Sequence, residues 1–173
     1  MDKIRQWLYK TPFEHFAIEV ASEDASFRKY YRLSHAETNF LLMDSSLEKA
    51  SLPAFIKVTQ KLLDVGVKAP KILEQNLEEG YLILEDFGST HYLDILNWDN
   101  FEDLYTKAID EIVKMQEADA SDLPVYDKTF LIQEMDLMAE WYMIKLLPVV
   151  LSQKQKEIIN LVVFMMQLTR RNK

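Results

Sequence analysis

Apolar and polar residues alternate with the period of a strand only up to Gly88, and from Asp99 onward the repeat is that of a helix. Strands gathered at one end of a chain and helices at the other mean an α+β fold, a small antiparallel sheet followed by a helical half. Phe16, Ile18 and Val20 alternate with Ala17 and Glu19, as on a half-buried strand. The aromatic and basic run Phe27 to Leu33 and the apolar run Asn39 to Met43, joined through His35 to Thr38, predict a hairpin. Lys71 to Asn76 and Tyr81 to Glu85 predict a second, its turn closed by Gly80, which supplies a positive φ. Between the hairpins, Leu52, Phe55, Ile56, Leu62 and Leu63 fall on one face of a helix that opens at Ser51 and Pro53 and closes at Gly66. A short amphipathic turn, Asp2 to Tyr9, precedes the strands.

In the second half, Phe101, Leu104, Tyr105, Ala108, Ile109 and Ile112 form a helical stripe behind a capping box of Asp99 and Glu102. Helices are expected near residues 128–147 and 152–168, separated by Pro148, the second opening with a Ser152/Gln155 box. Leu161 to Met166 reads Leu-Val-Val-Phe-Met-Met, apolar on every face, and such a helix must be surrounded by protein. Three preceding helices do not suffice to enclose it and cover a sheet, so its partner is expected in a further part of a longer fold or on another chain. Self-association through Leu161 to Met166 would then follow. The expected division is residues 1–88, a sheet lobe, and residues 89–173, an incomplete helical lobe.

Composition removes several classes of function. Twenty basic against 28 acidic residues leave a net charge of −8, which disfavours phosphate-neutralising contact with nucleic acid. Without cysteine there is no disulfide framework, thiolate zinc site or cysteine nucleophile. His15, His35 and His91 lie too far apart for a helical metal-ligand pair. Trp141 to Leu151, the most apolar stretch, is broken by Lys145 and Pro148 and is shorter than the ~20 residues of a membrane span. The expected setting is cytoplasmic, away from membrane and nucleic acid.

Three strands, a helix and two strands, then an acidic connector and helices, is the layout of a protein-kinase-like N-terminal lobe, here a five-stranded antiparallel sheet with one helix. The segments Ser22-Glu-Asp-Ala-Ser-Phe-Arg-Lys-Tyr-Tyr-Arg-Leu33, Phe40-Leu-Leu-Met-Asp44, Val67-Lys-Ala-Pro-Lys-Ile72 and Leu82-Ile-Leu-Glu-Asp-Phe-Gly88 occur in that order. Together they resemble the aminoglycoside/choline-kinase-type phosphotransferases, above all the bacterial branch of anomeric sugar kinases acting on N-acetylmuramate and N-acetylglucosamine.

The resemblance implies ATP and Mg²⁺, with a sugar hydroxyl as acceptor once the fold is complete. Such chemistry asks the protein to hold the triphosphate, neutralise it and align the acceptor. The first hairpin would cover the phosphates, with Ser26, Phe27, Arg28 and Arg32 as candidate contacts and serine hydroxyls in place of the usual glycines. The competing reading of this strand has its aromatics on the sheet and its basic residues in solvent. Met43 stands where a conventional lobe carries its phosphate-binding lysine, as it does in the resembled branch, and Glu48 reads as a surface carboxylate. Glu85, Asp86, Phe87 and Gly88 correspond to the hinge, whose backbone would hydrogen-bond the adenine edge. Asp86-Phe87-Gly88 is not read as the metal-binding motif of protein kinases, because no H-R-D loop precedes it.

The family's H-x-D-x-x-x-x-N loop and later metal-binding Asp have no counterpart here, so no catalytic or metal-binding residue is assigned. Read this way, the chain is the front part of a phosphotransferase and inactive alone. The alternative is a non-catalytic interaction module of kinase-like fold that associates through its apolar last helix. The carboxylate pairs Glu23/Asp24, Glu78/Glu79 and Glu85/Asp86 read as solvated turns rather than catalytic dyads.

Overall fold

The computed structural model describes residues 1–23, 27–147, 150–159 and 161. It divides into two compact units, Met1–Asp119 and Ala120–Lys173. The first unit holds α1 (Asp2–Leu8), β1 (Ala17–Glu23), β2 (Lys29–His35), β3 (Thr38–Asp44), a 3₁₀ turn at Lys49–Ser51, α2 (Leu52–Asp64), β4 (Ile72–Asn76) and β5 (Tyr81–Glu85). Every strand pairing is antiparallel and the sheet order is β1-β2-β3-β5-β4. The α+β sheet lobe expected from the sequence is therefore present, with α1 in place of the anticipated single turn.

Strand alternation sorts the side chains onto two faces. Tyr30 and Arg32 pair with Met43 and Leu41, which pair with Leu82 and Leu84. On this face Met43, Leu82 and Leu84 pack with Leu52, Phe55 and Ile56 of α2. On the opposite face Leu33, Leu42, Tyr81 and Ile83 pack with Ile4 and Leu8 of α1, joined by Trp7, Phe13 and Phe16. Covered on both sides, β5 is buried from Tyr81 to Leu84. Tyr30 and Tyr31 both pack against the sheet, one on each face. The alternation fails at Val20, which is 65% exposed beside a register shift in β1.

Both ends of α2 fall where expected, by different means. Ser51 occupies the N-cap position with helical backbone angles and no capping hydrogen bond. Its hydroxyl instead donates to the Glu48 carbonyl at 2.9 Å and accepts from Arg28 Nη2 at 3.0 Å. At the other end Gly66 takes φ +77°, and the Gly66 and Val67 amides bond back to the Leu63 and Leu62 carbonyls, a Schellman arrangement.

The next helices correct one expectation. A short α3 (Tyr92–Ile95) intervenes, and α4 (Phe101–Met115) is led by Asn100 without the Asp99/Glu102 capping box. Asn97 takes over the turn, its amide donating to Asn100 Oδ1 and its Oδ1 accepting from the Asp99 amide. The α4 stripe is less buried than its pattern implied: Leu104 and Ala108 are half-buried, whereas Tyr105, Ile109 and Ile112 are exposed.

The second unit contains α5 (Lys128–Leu137), with Met135 buried, a π-helical stretch Met138–Leu146, and helical residues 153–159. The Ser152/Gln155 box forms: the Ser152 amide donates to Gln155 Oε1 and the Gln155 amide to Ser152 Oγ. The apolar run after Leu161, with the self-association expected of it, lies outside the described residues. Among the described residues no helix is long and apolar enough to cross a membrane.

Candidate functional site

The segment Glu85-Asp86-Phe87-Gly88 leaves the end of β5, the most buried strand, so its starting point is fixed from both sides. Its side chains part in direction. The Glu85 amide donates to the Lys71 carbonyl at 2.9 Å and Glu85 Oε2 accepts from the Lys71 amide at 3.4 Å, so Glu85 faces β4. Glu85 and Phe87, with Leu63, Gly66, Val67, Lys68, Ala69 and Lys71, line a cleft of about 510 Å³.

Asp86 turns the other way, to the face shared by Arg32, Leu41 and Leu84. Arg32 Nε donates to Asp86 Oδ2 at 2.6 Å and Nη2 reaches Oδ1 at 3.4 Å, while Oδ1 accepts the Gly88 amide at 2.8 Å. The Asp86 side chain is 4% exposed and that of Arg32 31%. Burial pushes the Asp86 carboxyl upward, but the Arg32 hydrogen bond, the Gly88 amide and the guanidinium charge outweigh it and hold the carboxyl below its usual range. The same hydrogen bond, then the charge of Asp86, raises the Arg32 guanidinium. Reading Glu85/Asp86 as a solvated turn is thereby corrected at Asp86: the carboxylate is enclosed because a cation on the same sheet face accompanies it.

Ser26, of the expected contacts in the first hairpin, lies outside the described residues. Phe27 is 70% exposed. Arg28 holds the Ser51 hydroxyl and sits 5.3 Å over the Phe55 ring, so it faces the start of α2. Arg32 belongs to the Asp86 pair, Met43 is fully enclosed by the cluster under α2, and Glu48 is an exposed carboxylate. Gly88 takes φ +83° in open space, so its conformation rather than crowding favours glycine. The structure thus joins Arg32, Asp86 and Gly88, puts Glu85 and Phe87 on the cleft beside β4, and places Arg28 and Met43 elsewhere. Among the described residues no group of three or more His, Asp or Glu is placed to hold a metal ion.

Lys68 and Lys71 were missed as cleft residues. The Lys68 amide donates to Glu111 of α4 at 3.2 Å, and Lys61 Nζ to the Asp119 carbonyl at 2.7 Å, so the approach to β4 is braced by residues that follow Gly88 in the chain. Sequence spacing holds no signal for contacts of 43 and 58 residues' separation. For Arg32 a signal exists: strand alternation places it on the face of Tyr30, Leu41 and Met43, where a cation requires a carboxylate.

No family model matches the chain. It is 38% identical over 133 residues to the N-acetylmuramate/N-acetylglucosamine kinase of Pseudomonas aeruginosa, a match covering 76% of this chain and 39% of that protein. The Pseudomonas putida protein of the same name is 37% identical over 141 residues, 81% of this chain and 42% of its own. That of Neisseria meningitidis serogroup B is 32% identical over 163 residues, 90% and 48% respectively. The chain therefore spans between about two-fifths and one-half of these relatives, and it is related to sugar kinases.

Proposed function

We propose that this chain supplies the nucleotide-binding lobe of an ATP-dependent amino-sugar kinase of the aminoglycoside/choline-kinase type, which phosphorylates a sugar hydroxyl only together with a catalytic portion. The observation that carries this reading is a five-stranded antiparallel sheet whose buried strand β5, flanked by β3 and β4, runs directly into Glu85-Asp86-Phe87-Gly88. Within that segment the Glu85 amide is taken by Lys71 and the Gly88 amide by Asp86. The Asp86 and Phe87 amides between them are left for the edge of an adenine base. The base would then be recognised by backbone donors held on a rigid strand end, an arrangement whose ordering cost is met in folding.

The phosphate side is built differently from a lobe with a strand lysine. Met43 contributes packing beneath the sheet, Arg32 is engaged by Asp86 and Arg28 by Ser51. Neutralisation of the triphosphate would fall to Mg²⁺, whose charge offsets that developing on the transferred group, held by groups of the catalytic portion. This chain's own part is to hold the base and fix the first hairpin above it. The names of the relatives support N-acetylmuramate or N-acetylglucosamine as acceptor.

Fusion to the part of the Pseudomonas aeruginosa relative left uncovered by the match tests the reading, with the relative's own segment in the same fusion as control. ATP-dependent phosphorylation of N-acetylglucosamine or N-acetylmuramate is expected. A folded fusion that transfers no phosphate, beside an active control, would overturn it.

A further inference from the structure

We propose that Arg32 is a positioning residue that fixes the base-binding segment through Asp86 rather than a phosphate ligand; this rests on the nucleotide reading above. Three observations converge. Asp86 serves two partners with one carboxylate: Arg32, through Nε at 2.6 Å on Oδ2 and Nη2 at 3.4 Å on Oδ1, and the Gly88 amide at 2.8 Å on Oδ1. The carboxylate is therefore at once the anchor of the segment and the group that shapes its turn into Gly88, where φ is +83°. Second, Arg32 lies on β2, and the strand register runs from Arg32 through Leu41 to Leu84, two residues before Asp86. The pair thus ties the segment to the hairpin across the intervening strand. Third, Asp86 is 4% exposed, so an Arg32 that left it for a phosphate would strand a buried carboxylate without its cation, a costly state.

Glu19 faces Arg32 across the β1–β2 register and adds to the field that keeps it charged. Arg32 takes Asp86 as its hydrogen-bond partner, whereas Glu19 is exposed to water. Consequently the guanidinium is spent on geometry. If loss of the pair leaves the segment in its binding arrangement about one-tenth of the time, apparent base affinity falls about tenfold.

The test compares the unaltered chain with Arg32→Met and Arg32→Lys, using adenosine and inorganic tripolyphosphate as separate probes and hydrogen exchange of the Gly88 amide as a ligand-free readout. Arg32→Met should speed Gly88 exchange and weaken adenosine about tenfold, with tripolyphosphate affinity unchanged, and Arg32→Lys should recover part of both losses. A fall in tripolyphosphate affinity with adenosine unchanged would make Arg32 a phosphate ligand and overturn the proposal. Unaltered Gly88 exchange in Arg32→Met would overturn it as well. Should Arg32→Met fail to fold, Asp86→Asn, which keeps an acceptor for Gly88 but loses the charge, is expected to weaken adenosine selectively, and equal affinities would refute the role. Adenosine that fails to bind the unaltered chain, with Gly88 exchange still responding to Arg32→Met, would refute the nucleotide reading and the positioning role while leaving the pair itself intact.

Discussion

Gly80 and Ser46 approach so closely that a Cβ on the glycine would stand 3.0 Å from both the Cα and the amide nitrogen of the serine. The Gly80 carbonyl accepts the Ser45 amide at 2.8 Å, and Lys49 Nζ reaches the Glu78 carbonyl at 2.6 Å, so the β4–β5 turn is clamped onto the chain leaving β3. Gly80 also sits at φ +89°, a region that disfavours side chains. Gly80→Ala combines both penalties and should cost about 2 kcal/mol or more in urea unfolding. A change within about 0.5 kcal/mol would show that this contact is not closed in solution.

Met43 offers a sharper contrast. A lysine placed there would match conventional kinase lobes, yet the side chain is fully enclosed by Leu52, Leu82 and Leu84. Met43→Lys buries an ammonium without a carboxylate and should lose at least about 3 kcal/mol, whereas Met43→Leu should lose less than about 1.5 kcal/mol. Equal stability of the lysine variant would place this side chain at an open surface and reverse the account of the phosphate side.

Acid should act through Asp86. Its carboxyl is held below the ordinary range, so the folded chain is favoured above about pH 4 and this contribution disappears as pH falls through the lowered value. In Asp86→Asn the loss of stability between neutral and acid pH should be smaller than in the unaltered chain, although the variant is the less stable of the two at pH 7. Parallel stability curves for both would remove Asp86 from the acid response.

Helix α1 is an integral part of the sheet lobe, since Ile4 and Leu8 lie in the same cluster as Leu33, Leu42 and Ile83. Leu8→Ala should cost about 3 kcal/mol, and cooperative loss of α1 and sheet signals in one denaturant transition is expected. Melting of α1 ahead of the sheet would contradict its assignment to this core.

Much of the lobe was legible because strand and helix periods write the buried face directly into the sequence: Tyr81 to Leu84 as a wholly apolar strand, Leu52, Phe55 and Ile56 as a helix face, Gly66 and Gly80 as turns of positive φ. Capping was less legible. Ser51, Asp99 and Glu102 have the right chemistry at the right spacing, but Arg28 and Glu48 claim the Ser51 hydroxyl and Asn97 organises the turn before α4. The α4 stripe shows the limit of periodicity, which marks a face as apolar without stating that anything covers Tyr105, Ile109 and Ile112. At the candidate site the segment Glu85 to Gly88 was visible as a motif, whereas the direction of each side chain was not. Whether Arg32 meets phosphate, solvent or Asp86 depends on a contact spanning 54 residues.

The most direct test of the nucleotide lobe is a titration of the folded chain with ATP, followed by amide chemical shifts. Saturable shifts centred on Asp86 and Phe87 are expected even for weak binding, with smaller changes at Arg32. Asp86 and Phe87 amides that stay unmoved up to about 10 mM ATP, equivalent to less than about 3 kcal/mol of binding, would contradict the account.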